Sequence, residues 1–133
     1  MNNIMAIFIG GIIGGASRCG LGFIIPAPSG FPLDILVINL VGSLALGTLN
    51  GVAASTKMKP WLRNGIGTGM IGSFTTFSTF CVGTIRLAQV HALSALVYVA
   101  ISLIAGPLLA LSGERTALWV VTRKETEVGE VSA

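Results

Sequence analysis

A chain of 133 residues in which 53% are hydrophobic and only 10% charged, with a mean hydropathy of +0.87, lies far to the apolar side of ordinary soluble composition. That composition excludes a soluble domain and predicts an integral membrane protein with about four bilayer crossings of roughly 20 residues each, leaving no room for a separate soluble unit. The net charge of +3 gathers near the ends of apolar segments, where basic side chains suit lipid headgroups and cytoplasmic loops, so no nucleic-acid partner is expected.

The first span is expected over residues 4–25, stopping at the helix-breaking run from Pro26 to Gly30. It does not read as a cleaved signal peptide, because its start lacks basic residues and Arg18 interrupts the apolar run. The second span covers residues 33–54 and ends at a basic loop carrying Lys57 and Lys59 before Pro60. The third, residues 61–88, enters at Trp61, an interfacial aromatic, passes Gly65, Gly67, Gly69 and Gly72, and emerges near Arg86. The fourth covers residues 92–112. Residues 1–121 thus read as one four-helix transmembrane domain, and residues 122–133 as a polar tail expected to fray. Cys19 and Cys81 both fall in apolar stretches and read as small buried hydrophobes rather than a disulfide.

Glycines four apart mark helix faces with almost no side chain: Gly10 and Gly14, Gly11 and Gly15, Gly47 and Gly51, Gly65 and Gly69. In lipid such faces let backbones approach closely, either within the bundle or at a subunit interface. Asn39 and Ser43 share one face of the second span, and Tyr98 and Ser102 one face of the fourth, giving two polar stripes. Taken singly, such residues are most often interhelical glue worth about 1 kcal/mol. Arg18 lies about five residues from the end of its span, so it either serves a function or snorkels to the interface.

The stretch GSFTTFSTF, Gly72 to Phe80, combines phenylalanine at every third position with hydroxyls in the gaps. Thr75, Thr76, Ser78 and Thr79 can bond back to their own helix carbonyls, and with the glycines before them they favour local unwinding. Irregular backbone at membrane depth is tolerated only where it is buried or lines a watery cavity, and unwound carbonyls there are natural cation ligands. Phenylalanine edges carry the positive end of the ring quadrupole and offer weak contacts to an anion without a fixed charge. An ordinary packing stripe would show the same spacing.

GSFTTFSTF resembles the signature of the Fluc (CrcB) family of fluoride channels; GGIIGGASRCG is similar to that family's glycine-rich first segment ending in arginine, and LVINLVGS to its second-span motif. The resemblance covers the four spans, with three motifs in order, and omits the polar tail. It implies an all-α membrane protein of four transmembrane helices, the third broken at mid-membrane, paired with an upside-down partner into an antiparallel, dual-topology dimer with two narrow fluoride pathways. It also implies a structural Na+ at the dimer centre, held by the backbone carbonyls of Gly72 and Thr75 from both subunits. Phe77 and Phe80 match the family's pore-facing phenylalanines, Asn39 its pore asparagine, and Arg18 the arginine near the vestibule. Ser78 and Thr79 lie in the hydroxyl-bearing motif, while Tyr98 and Ser102 fall on the fourth-helix polar track. Three departures stand out: Asp34-Ile35 replaces a glycine-threonine entry, Gly106 offers no hydroxyl to the track, and Cys19 replaces an aromatic.

The implied function is passive export of cytoplasmic fluoride through the cell membrane. Two other readings stay open: a small multidrug-type exporter, against which the absence of Asp or Glu from the first span argues, and a non-conducting assembly subunit. An enzyme is not expected, since His91, the only histidine, sits in a loop and no catalytic or metal-ligand spacing appears. In a four-span chain the N-terminus, second loop and C-terminus share one side, and that side carries Lys57, Lys59, Arg63, Arg115, Arg123 and Lys124, against at most Arg18 and Arg86 on the other. The positive-inside rule then puts both termini in the cytoplasm. A chain so biased suits either a homodimer that tolerates the mismatch or a paralogous partner of opposite bias.

Overall fold

The structure, a computed structural model, describes residues 2–27 and 30–131, with side chains described as far as Arg123. Helix α1 (Asn3–Ile24) starts where the Asn2 side chain accepts the Ile4 N–H and ends at Ile25, in extended backbone just before Pro26. Pro28 and Ser29, in the expected loop, lie outside the described residues, and Gly30 turns the chain with φ +77°, a conformation that only glycine adopts readily. Helix α2 (Leu33–Ser55) carries Asp34 in its first turn, where a carboxylate complements the helix dipole, and stops at extended Thr56.

The third crossing is broken into four pieces. Helix α3 (Pro60–Asn64) begins with proline in its first turn, where the missing N–H is no loss. A π-helical stretch, π1 (Gly65–Ile71), follows, and the Gly72 N–H reaches back five residues to the Gly67 carbonyl. The single helical turn α4 (Gly72–Phe74) ends at Thr75, whose ψ of 160° is extended. Regular helix resumes as α5 (Ser78–Val90), with the Cys81 N–H on the Phe77 carbonyl. Helix α6 (Ala92–Val131) completes the chain. Residues 3–24, 33–55 and 92–123 are each long and apolar enough to cross a bilayer alone, and the broken segment makes the fourth passage.

Glycine decides which helices touch. Gly10 and Gly14 on α1 lie against the backbone of Gly65 and Met70, and Gly69 against that of Ile7, so α1 packs along π1. Gly47 meets the Ala110 backbone, Gly51 meets Glu114 and Ala117, and Gly113 meets Leu44 and Thr48, so α2 packs along α6. A Cβ at most of these positions would run into neighbouring main chain. These contacts are internal to one chain, whereas a Cβ at Gly11 would meet nothing within 4 Å.

The interior is small: Leu36, Leu87, Ala95 and Tyr98, flanked by Phe31, Leu40, Phe80 and Val99. Around it Ile4, Phe8, Ile12, Leu93, Leu96 and Leu103 point outward, an apolar exterior suited to hydrocarbon. Two expectations need correcting. Helix α6 does not end at Ser112 but continues to Val131, because Gly113 serves as a close-packing contact with α2 rather than as a stop, and no proline follows it. The tail expected to fray is therefore helical through residue 131; residues 132 and 133 lie outside the described residues. Cys19 is exposed, since α1 turns that face away from π1.

Candidate functional site

The break leaves main-chain groups without their helical partners, and one side chain from another helix takes up two of them. Asn39 on α2 donates from Nδ2 to the Thr76 carbonyl at 3.0 Å and accepts the Thr76 N–H on Oδ1 at 2.9 Å. The amide therefore reads the backbone of Thr76 as a paired strand would. Thr76 is buried. Its hydroxyl bonds the Thr79 hydroxyl at 2.9 Å, lies 3.4 Å from that of Ser78, and accepts the Thr79 N–H at 3.3 Å, capping the start of α5. Thr75 behaves as its sequence suggests, bonding back to the Ile71 carbonyl at 3.0 Å.

Two of these bonds are diversions. In continuous helix the Thr76 N–H would close on the Gly72 carbonyl and the Thr79 N–H on the Thr75 carbonyl. Asn39 Oδ1 takes the first and Thr76 Oγ1 the second. Gly72 and Thr75 are thus the two residues whose carbonyls lose their helical donor to a side chain, and both line one groove. Among the described residues no group of three His, Cys, Asp or Glu gathers, so a hard cation at this site would have carbonyl oxygen as its natural ligand.

The groove is an open cavity of about 510 Å³ bordered by α2, π1, the break and α6. It brings together Asn39, Ser43, Phe77, Phe80 and Ser102 with Gly72 and Thr75. Phe77 is 78% exposed. Phe77 and Phe80 stack at 5.9 Å with planes 28° apart, Phe80 stacks on Tyr98 at 5.2 Å and 30°, and Phe31 meets Tyr98 edge-on at 5.6 Å and 85°. Stacking turns one face of each ring toward its neighbour, and the positive end of the quadrupole lies along the ring edges. Ser102 bonds back to the Tyr98 carbonyl at 2.8 Å, which leaves its oxygen lone pairs for another donor.

The other predicted residues lie elsewhere. Tyr98 is fully buried behind Phe80, and its hydroxyl has no partner among the described residues. That hydroxyl lies 4.0 Å from where a Cβ of Gly83 would stand. Gly83 and Thr79 line a second cavity of about 410 Å³ with Asp34, Ile35 and Arg86. Ser78 is exposed and lines neither cavity. Arg18 is half-buried on α1, which contributes no residue to either. Gly106, which breaks the polar track, is buried, and a Cβ there would stand 3.6 Å from Ser43 Oγ. The residue that sequence reasoning undervalued is Thr76. Its place in a run of four hydroxyls was visible, but its main-chain pairing with Asn39, 37 positions away, was not.

Comparison with known proteins adds what geometry cannot. The family model described as CrcB-like protein, Camphor Resistance (CrcB), matches residues 5–114. The chain is 39% identical to "Fluoride-specific ion channel FluC 2" of Halalkalibacterium halodurans, covering 96% of this chain and 95% of that protein. It is 39% identical to "Fluoride-specific ion channel FluC" of Oceanobacillus iheyensis, over 96% and 99%. It is 44% identical to "Fluoride-specific ion channel FluC 2" of Bacillus subtilis, over 81% and 82%.

Proposed function

The chain belongs to the CrcB family, and from that premise we propose that it is a fluoride-specific ion channel, a multi-pass protein of the cell membrane and not an enzyme. The observation that carries this reading is similarity along almost the whole chain to relatives named as fluoride-specific channels. Neither an exporter nor a non-conducting subunit has comparable support.

The physical problem is desolvation. Moving even a carboxylate-sized ion into a dry interior costs on the order of 20 kcal/mol, and fluoride is smaller. A fluoride path must replace water with close donors in a bore too narrow for larger anions. The groove offers candidates of the right kind: the edges of Phe77 and Phe80 and the second N–H of the Asn39 amide, with Ser102 on its wall as a hydroxyl that becomes a donor to the anion when it turns from the Tyr98 carbonyl. Tyr98, whose hydroxyl has no partner among the described residues, and Thr79 carry the route toward the mouth at Asp34 and Arg86. Ser78 belongs to the same hydroxyl-bearing motif as Thr79, and Arg18 serves as a fixed positive charge near a vestibule.

The groove is open on one side, and an antiparallel partner subunit closes it, making two pathways per dimer. The partner is a second copy or a paralogous chain. At the dimer centre the Gly72 and Thr75 carbonyls of both subunits hold a structural Na+, whose charge offsets that of the permeating anion; the two diverted N–H groups support this assignment. Fluoride leaves the cytoplasm down its gradient.

Purified chain reconstituted alone into liposomes tests the reading. Fluoride efflux with little chloride efflux from the same vesicles is the expected result; equal efflux of both ions, or none even with a paralogous chain present, overturns it.

A further inference from the structure

We infer that Asn39 and Thr76 are positioning residues that set the affinity of the sodium site, so one amide serves the anion path and the cation site together. This rests on the sodium assignment proposed above. A carbonyl already accepting a helical N–H at good geometry points along the helix axis and is a poorer cation ligand than one released from it. The break unpairs several carbonyls where Thr75 turns extended, and at Gly72 and Thr75 a specific side-chain acceptor holds the helical donor away. Asn39 Oδ1 holds the Thr76 N–H at 2.9 Å, and Thr76 Oγ1 holds the Thr79 N–H at 3.3 Å. The same Asn39 amide fixes the Thr76 carbonyl through Nδ2 at 3.0 Å, so Thr76 cannot rotate to give its N–H back to Gly72 while that pair stands. The Thr76 hydroxyl is further set by Thr79 Oγ1 at 2.9 Å. Regular helix ends just before this unit, with the Thr75 N–H on Ile71, and resumes just after it, with the Cys81 N–H on Phe77.

Removing either acceptor should let the segment relax toward continuous helix and draw a carbonyl back into it. Asn39→Leu removes both halves of the amide pair with Thr76 at similar volume. Thr76→Val removes the acceptor for the Thr79 N–H at nearly constant shape, whereas Thr76→Ser keeps it.

The test is thermal unfolding of the purified full chain in detergent, titrated with NaCl against KCl at constant ionic strength. The readout is the sodium concentration giving half of the sodium-dependent rise in midpoint. Asn39→Leu and Thr76→Val should each raise that concentration tenfold or more, while Thr76→Ser stays within threefold of wild type. A merely structural brace would lower the midpoint at every sodium concentration without moving the half-point, and that result overturns the inference. If Asn39→Leu fails to fold, the Thr76→Val and Thr76→Ser pair decides on the same criterion. A wild-type midpoint that does not distinguish sodium from potassium overturns both the sodium assignment and this inference; a sodium-dependent wild type with unshifted variants overturns the inference alone.

Discussion

Phe77 leaves most of its ring open on the single chain, while Phe80, three residues on, is half-buried against Tyr98. Phe77→Ile and Phe80→Ile keep apolar bulk but remove the ring edge, so each should cut fluoride efflux from liposomes at least tenfold while the protein elutes as a single species on size exclusion. Normal efflux in both would make the rings packing only. Tyr98 gives a sharper separation of stability from transport. Its buried hydroxyl has no partner among the described residues, and such a group costs about 1–3 kcal/mol. Tyr98→Phe should therefore leave the thermal midpoint unchanged or higher while fluoride efflux falls severalfold; unchanged efflux would place the hydroxyl outside the path. The phenylalanines were legible because their spacing and their hydroxyl neighbours stand next to one another in sequence. The task of Thr76 was not, because it depends on Asn39 arriving from another helix.

Among the helices, glycine carried the most readable signal and also the most ambiguous one. A four-residue glycine spacing says that a backbone approaches, but not whose. Gly10, Gly14, Gly47, Gly51, Gly65 and Gly69 all proved to face neighbours in the same chain, while Gly11 faces none. A methyl group at Gly47 would collide with the Ala110 backbone, so Gly47→Ala should destabilise by about 1–3 kcal/mol. Gly11→Ala should leave the midpoint of the isolated chain unchanged. Thermal unfolding of both variants checks the contrast, and a lowered midpoint for Gly11→Ala with loss of dimer on size exclusion would put a partner's backbone at that face. The break in the third crossing was foreseeable from glycines followed by hydroxyls. The continuation of α6 was not: Gly113 and the polar residues after it resemble a helix end, and only the packing of Gly113 on Leu44 and Thr48 says otherwise. Nor does Pro107 stop that helix, although it removes the N–H that would reach the Leu103 carbonyl.

At the scale of the whole molecule, the charge bias of the loops predicts a preferred orientation with both termini cytoplasmic. Accessibility tags on the termini, expressed without any paralogous chain, should then label from the cytoplasmic side in most copies. Labelling from both faces, with fluoride efflux from the single purified chain, would instead establish a self-sufficient dual-topology protein. The overall class was legible because hydropathy alone demands lipid around so small an interior; the groove was not, since its walls come from α2, π1, the break and α6 at once. That groove, walled by apolar spans and holding carbonyls and the Asn39 amide, has a cellular consequence. Hydrocarbon cannot solvate such groups, so if the proposed partner subunit is what covers the groove, a newly inserted copy still lacking one is a poor tenant of the bilayer and a ready substrate for membrane proteolysis. Abundance is then governed by how soon subunits meet: pulse-chase half-life should lengthen as expression rises, and surplus unmatched copies should be cleared rather than stored.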